Sequence, residues 1–220
     1  MMTPQKNAYS APHSAHFSFG YISARLGNLL DRRQVSPELI LIGTAVLVGI
    51  GAGLGAVVFR YLILAVGWVG YDLIPRLTEN WGRAYVILVP ALGGLLVGLL
   101  VYYFAREAKG HGVPEVMEAV ALKGGRIRPI VAVIKSLASS LSIGSGGSVG
   151  REGPIVQIGS ALGSSLGQML HLSDDRVRNL VACGAAGGIA ATFNAPIAGV
   201  IFALEVILGE FNVRYFSTVV

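Results

Sequence analysis

Two glycine-rich loops contain the residues of this sequence whose types and spacing could do chemistry. The first is GHGVPEV at 110–116, and the second is GSGGSVGREGPIVQIG at 144–159. In each loop a proline, Pro114 or Pro154, follows the glycines and suits the first turn of a helix, where its missing N–H costs nothing. Each loop therefore predicts a helix whose first backbone N–H groups point into the glycine turn, an arrangement that attracts anions.

The surroundings of the loops decide which kind of anion site they could form. No strand pattern precedes either loop and no Gly-Lys-Ser/Thr follows, so the nucleotide-binding fingerprints do not fit. Inside a membrane, broken helices are tolerated where they line a cavity or are buried in protein, and their N-termini can bind anions there. The alternative that stays open is a pair of ordinary surface turns between membrane spans.

Arg151 and Glu152 place two charges between the uncharged stretches 136–150 and 153–173. A charge within a membrane segment is costly unless it is hydrated or paired, and it therefore suggests a function. In the first turn of a helix, the Glu152 carboxylate would be stabilised by the helix dipole and could occupy the position at which an anion binds. Protonation of the carboxylate would then free that position. A plain capping glutamate at the bilayer surface is the alternative.

The composition is that of a membrane protein. Hydrophobic residues make up 53% of the 220 residues and charged residues 13%, whereas soluble domains have about a quarter charged residues. The single cysteine excludes an intramolecular disulfide. The clustering of basic residues argues against nucleic acid as a partner, and four scattered histidines argue against a metal site.

Small residues spaced four apart predict close helix packing at Gly49/Gly53, Gly51/Gly55, Gly94/Gly98, Gly163/Gly167 and Gly184/Gly188.

Three long apolar stretches predict the membrane spans. Residues 39–59 carry no charge and the apolar character continues to about 69, which predicts one long, tilted helix. Residues 84–105 predict a second span. Residues 179–204 predict either one crossing or two shorter helices broken at Asn194-Ala195-Pro196.

Loop charges predict the domains and the orientation. Basic residues concentrate in the N-terminal segment and in 106–135, so the positive-inside rule predicts that both are cytoplasmic. We expect a polar cytoplasmic segment at 1–35 and a transmembrane domain at 36–220. Glu115 and Glu118, at i and i+3, predict a solvated or vestibule-facing helix surface.

The motifs GHGVPEV, GREGP and NAPIAGVIFALE occur in this order, and the chain from about residue 36 resembles the CLC family of chloride channels and chloride/proton exchangers. The resemblance implies an all-α, polytopic membrane fold with tilted and broken half-membrane helices, of which this chain matches the first of two inverted repeats. It implies that Glu152 is the gating glutamate and Lys135 a basic residue near the pore. The implied anion-binding residues are His111, Gly112, Val113, Pro114, Arg151, Gly153 and Pro154.

Three positions or segments depart from the family pattern. His111 stands where the family usually has a serine that coordinates the anion, although an imidazole N–H can also donate to chloride. Val206 stands where exchangers carry a second, proton-carrying glutamate, while Glu205 matches the glutamate before it. The glycine-Phe-Pro loop and pore tyrosine of the family's second half have no match here, which predicts an incomplete transmembrane domain.

The sequence therefore predicts a membrane protein that is not an enzyme and that carries chloride, or another small monovalent anion, in a channel-like manner. A proton-coupled exchanger with a different proton route is one alternative, and a non-conducting fragment or assembly half is another. We expect a multi-pass protein of the cell or inner membrane with a cytoplasmic N-terminus. We expect no cofactor besides the transported chloride, lipid as the surroundings, and a homodimer when full length.

Overall fold

The protein is a bundle of helices of very unequal length. The computed structural model describes residues 37–77, 84–104, 110–209 and 218–219, and these contain no strand. The predicted polar segment 1–35 lies outside them. The helices are α1 (Pro37–Trp68), continuing through a π-helical turn (Val69–Leu73) into α2 (Ile74–Leu77), then α3 (Tyr85–Phe104), α4 (Val113–Leu122), α5 (Pro129–Gly144), α6 (Glu152–Met169), α7 (Asp174–Phe193) and α8 (Pro196–Phe202), which continues as a π-helical segment (Ala203–Leu208).

Two helical stretches have the length and composition to cross a membrane. They are Leu39–Arg76 and Tyr85–Phe104, as the sequence predicts for the first two apolar regions. The outer side of α1 carries exposed Leu47, Ile50 and Leu54. Such a row of exposed apolar side chains suits contact with lipid, because a water-facing helix normally turns polar residues outward.

The third apolar region is two helices rather than one crossing. Asn194 adopts a left-handed conformation with φ 53°, which ends α7, and Pro196 opens α8. Further helices are also too short to span the bilayer, since α4 has 10 residues and α5 has 16, against about 20 for a full crossing. The predicted broken, half-membrane helices are therefore present.

The tightest helix crossing joins α6 to α7. A Cβ added to Gly184 would meet the carbonyl group of Gly159, and one added to Gly163 would meet the carbonyl of Leu180. The predicted close packing is confirmed at Gly163 and Gly184. At Gly51, Gly53, Gly94 and Gly98 an added Cβ would have no neighbour within 4 Å among the described residues. Spacing alone does not reveal which side of a helix meets another helix.

One buried serine of α6 holds the loop between α4 and α5. Ser164 is fully buried; its Oγ donates to the Gly125 carbonyl at 2.6 Å and accepts from the Ile127 N–H at 2.8 Å. Gln168, one turn later, donates to the Ile127 carbonyl at 2.8 Å. The loop thereby sets where α5, which contributes to the site below, begins.

Ser164→Ala is expected to lower the free energy of unfolding by about 1–3 kcal/mol, because buried backbone groups of Gly125 and Ile127 lose their partner. The neighbouring Ser165→Ala is the matched control, since the Ser165 Oγ donates only within its own helix, to the Ala161 carbonyl at 2.6 Å. We expect the control to change stability by less than about 0.5 kcal/mol. Thermal unfolding in detergent, followed by circular dichroism, compares the two. Equal effects would contradict the role given to Ser164.

Candidate anion-binding site

The N-termini of α4 and α6 meet backbone to backbone. Gly112 caps α4 with φ 104°, a conformation that suits only glycine. A Cβ on Gly112 would meet the Gly153 carbonyl, and a Cβ on Gly153 would meet the His111 carbonyl oxygen. The two glycine loops are therefore in direct contact, which brings two partially positive helix ends to one place.

A cavity of about 940 Å³ opens beside this meeting point. Its basic and acidic lining residues are His111, Lys135 and Glu152. Of the other predicted site residues, Val113, Gly153 and Pro154 also line it. The remaining lining residues are Val97, Gly98, Val101, Tyr102, Gly110, Ala138, Ser139, Ser142, Val149 and Gly150.

Lys135 reaches the first loop from α5. Its side chain is 4% exposed, and its Nζ donates to the Gly110 carbonyl at 2.6 Å. A buried ammonium group is stable only with such partners. Lys135 therefore adds a positive charge to the cavity and holds one end of the loop from Gly110 to Gly112.

Glu115 holds the other end of the same loop. Its Oε2 accepts a hydrogen bond from the Gly112 N–H at 2.6 Å, the capping arrangement in which an N3 glutamate reaches back to the N-cap. Glu115 is half-buried and lines a smaller pocket beside α4, so the predicted surface faces a vestibule at this residue. The surface is solvated at Glu118, which is exposed and pairs with Lys123 at 2.9 Å.

Glu152 is the first residue of α6, and its side chain is exposed to the cavity. A Cβ added to Gly150 would meet its carboxylate, so the side chain folds back over the loop that precedes the helix. A carboxylate in this position is stabilised by the N-terminal end of the helix. The cavity is open beside it.

Three predicted residues lie around the cavity rather than on its wall. Gly112 is buried behind the wall, against Gly153, and Pro114 is exposed on α4. The Arg151 guanidinium lies 5.8 Å from the centre of the Phe193 ring, a cation–π contact. Arg151 therefore packs on the end of α7 instead of facing the other charged residues.

The last position singled out in the sequence, Val206, lies in the π-helical segment after α8. Val206 is half-buried and Glu205 is exposed. Neither residue lines the cavity.

Sequence reasoning missed Tyr102, Ser139 and Ser142 of the cavity wall. The two serines follow Lys135 at i+4 and i+7, which places all three on one side of a helix. That spacing could have identified them once Lys135 was chosen. Tyr102 comes from α3, and no local pattern links it to the loops.

No group of three or more His, Cys, Asp or Glu side chains within the described residues could hold a metal ion. The polar groups that face the cavity are the N-terminal ends of helices, other backbone groups and polar side chains. Fold and site together define an integral membrane protein whose half-membrane helices converge on a charged, open cavity.

Residues 93–220 match the family model described as voltage gated chloride channel. The match covers more than half of the chain. This chain belongs to the voltage-gated chloride channel, or CLC, family, as its motifs predict.

Curated relatives and solved structures agree with this family. The chain is 36% identical over 179 residues to a ClcB-like chloride channel protein of Ralstonia nicotianae, covering 77% of this chain and 41% of that protein. It is 36% identical over 192 residues to the H(+)/Cl(-) exchange transporter ClcA of Vibrio vulnificus, covering 83% and 40%. The chain thus spans about two fifths of the length of these relatives.

The same fold occurs in two solved structures. One is a eukaryotic CLC transporter, with a TM-score of 0.66 and 25% identity, covering 82% of this chain and 35% of that chain. The other is a slow cyanobacterial Cl-/H+ antiporter, with a TM-score of 0.66 and 24% identity, covering 81% and 43%.

Proposed function

We propose that this chain forms one side of a chloride pathway and that Glu152 is its gate. The observation that carries the proposal is the direct contact of the α4 and α6 N-termini beside a cavity lined by Lys135 and Glu152. Each helix end has the effect of about half a positive charge, and Lys135 adds a full one. Such a site requires a negative charge, which either the Glu152 carboxylate or a chloride ion can supply.

Protonation decides between these two occupants. The ionised Glu152 carboxylate satisfies the helix end itself and excludes chloride from it. The neutral carboxylic acid no longer does so, and chloride takes its place. The chloride pathway therefore opens more as the proton concentration rises on the side of the membrane from which protons reach Glu152.

His111 modifies the same pathway. It lines the cavity and is exposed, so its imidazole N–H can donate to a passing anion. We propose that the His111 imidazole sets an anion preference different from that of a serine at this position.

Channel-like transport is the favoured mode, because the apolar Val206 cannot carry a proton. The second candidate is a proton-coupled exchanger with another proton route. The names of relatives such as the Vibrio vulnificus exchange transporter favour that second candidate. The two modes differ in whether protons move with chloride.

Chloride efflux from liposomes tests both parts of the proposal. We expect the 220-residue chain, fused to the C-terminal part of the Vibrio vulnificus relative, to release chloride in a Glu152-dependent manner. An imposed chloride gradient is expected to move no protons uphill, and introducing a proton-carrying side chain with Val206→Glu is the comparison variant. A pH-sensitive dye in the same liposomes reports proton movement.

The outcomes are separable. A fused protein that purifies as a single folded species but releases no chloride would contradict the pathway. Uphill proton movement with the natural Val206 would contradict the channel-like mode and support the exchanger. Reconstitution of the chain without the fusion partner measures how much of the flux it supports by itself.

A further inference from the structure

Glu115 lies between the main cavity and a second pocket. This second pocket has a volume of about 310 Å³ and is lined by Glu115, Glu118, Gln157 and the basic residues Lys123, Arg126 and Arg128. Gly110 and His111, on the other side of Glu115, line the main cavity. The Glu115 side chain thus lines the second pocket and contacts the loop from that side. The loop itself faces the main cavity.

The loop itself is held at three points. Glu115 accepts from the Gly112 N–H at 2.6 Å, and Lys135 donates to the Gly110 carbonyl at 2.6 Å. The His111 carbonyl packs against Gly153 at the start of α6. Of these three, the Glu115 contact is the one whose strength depends on a carboxylate that can take up a proton.

Gln157 indicates that the second pocket is hydrated. Its side chain is 2% exposed, and its Oε1 has no hydrogen-bond donor among the described residues. A buried carbonyl oxygen without a partner is costly, and water commonly supplies the missing donor. A pocket of this size accommodates several waters, each occupying about 30 Å³, so protons can reach Glu115 from the surface residues at its mouth.

We propose that Glu115 is a proton-sensitive positioning residue: a proton arriving from the second pocket loosens its hold on Gly112 and so moves the loop that presents His111 to the anion. The proposal rests on the proposed chloride site. The step is a simple protonation in which hydronium in the second pocket gives its proton to a Glu115 carboxylate oxygen. A neutral acid accepts a hydrogen bond more weakly than a carboxylate does, so the Gly112 N–H is released.

Several charged groups surround Glu115. Lys135 approaches from α5, and His111 precedes it in the loop. Glu118 on the same helix pairs with Lys123, and Arg126 pairs with Asp174 at 2.9 Å, so much of the charge at the pocket mouth is compensated. The other charged neighbours are Arg128 beside the pocket, Glu152 at the start of α6, and exposed Glu205 on the π-helical segment packed against α4.

The Gly112 amide can be observed by itself. His111-Gly112 is the only His-Gly pair in the sequence, so a chain labelled with carbonyl-¹³C histidine and ¹⁵N glycine gives one correlated NMR signal. We expect the amide proton of the full 220-residue chain in lipid nanodiscs to be strongly downfield at neutral pH. It should move upfield as the pH is lowered and Glu115 takes up a proton, on top of any change that the adjacent His111 imidazole causes.

Three variants identify the group responsible. Glu115→Gln is expected to remove the part of the upfield shift that comes from Glu115, leaving only the change that the adjacent His111 imidazole causes. Glu115→Asp keeps a carboxylate and should retain a titration. Glu118→Gln is the matched control, because Glu118 is on the same helix and pocket but contacts Lys123 rather than the loop, and it should titrate like the natural chain.

A Gly112 signal that does not move with pH in the natural chain would overturn the proposal, as would a Glu115→Gln chain whose signal moves with pH as far as that of the natural chain. In the fused protein, Glu115→Gln should reduce the pH dependence of efflux that persists after Glu152→Gln. A chain that titrates as expected while the fused protein conducts no chloride contradicts the proposed function and supports the role of Glu115. If the fused protein conducts chloride but the Gly112 signal of the chain does not respond to protonation of Glu115, only the role of Glu115 is contradicted.

Discussion

Replacing Glu152 with glutamine is expected to remove most of the pH dependence of chloride efflux and to leave the pathway open at neutral pH. Glutamine has the shape of the protonated acid but cannot ionise, so it cannot supply the negative charge that excludes chloride from the start of α6. For the natural residue, efflux should fall by up to about tenfold for each pH unit in which the gate is mostly ionised. Efflux from liposomes at a series of pH values measures this.

The control for Glu152→Gln is Glu118→Gln, since Glu118 is exposed, pairs with Lys123 and does not line the main cavity. We expect its pH profile to match that of the unaltered protein. If Glu152→Gln left the profile unchanged, Glu152 would not be the gate, although the helix ends could still bind the anion.

Gly112→Ala is expected to separate the two loops and to lower the free energy of unfolding by roughly 2–5 kcal/mol, the sum of backbone strain and overpacking. The new methyl group would occupy the space of the Gly153 carbonyl, and alanine at φ 104° is strained whatever its neighbours. Chloride efflux should be lost with the contact. Thermal unfolding and liposome efflux of the same fused protein report the two effects.

Gly94→Ala is the matched control, because Gly94 is helical and an added Cβ there would have no neighbour within 4 Å. Alanine is also the better helix former, by about 1 kcal/mol in soluble hosts. We expect no loss of stability or efflux. A Gly112→Ala protein as stable and active as the Gly94→Ala protein would mean that the loops do not need their direct contact.

Local sequence patterns predicted where two of the helices begin and where two long helices lie. Glycine followed by Pro114 or Pro154 marks a helix start whatever the rest of the chain does, because proline restricts φ and donates no N–H. The uncharged stretches likewise predicted α1 and α3, since the bilayer requires about 20 apolar residues. These features depend on neighbours in sequence, and they are confirmed.

Side-chain direction was harder to predict. Glu115 and Glu118 share a spacing that suggests one solvated surface, yet Glu115 turns back to the Gly112 N–H. Arg151 adjoins Glu152 in sequence but packs on Phe193. In both cases the choice was made by a backbone donor or an aromatic ring whose position follows from how the helices pack.

By itself, the sequence determined the chemistry that is available: two glycine-capped helix starts, a lysine, a glutamate and an all-helical chain suited to a membrane. Only the tertiary structure decided that the starts of α4 and α6 touch, that α3 closes one wall of the cavity with Tyr102, and that Glu115 adjoins a second pocket. The physical reason is that helix starts follow from local backbone preferences. Contacts between helices follow from the close packing that glycines such as Gly159 and Gly184 permit, and that packing depends on every helix at once.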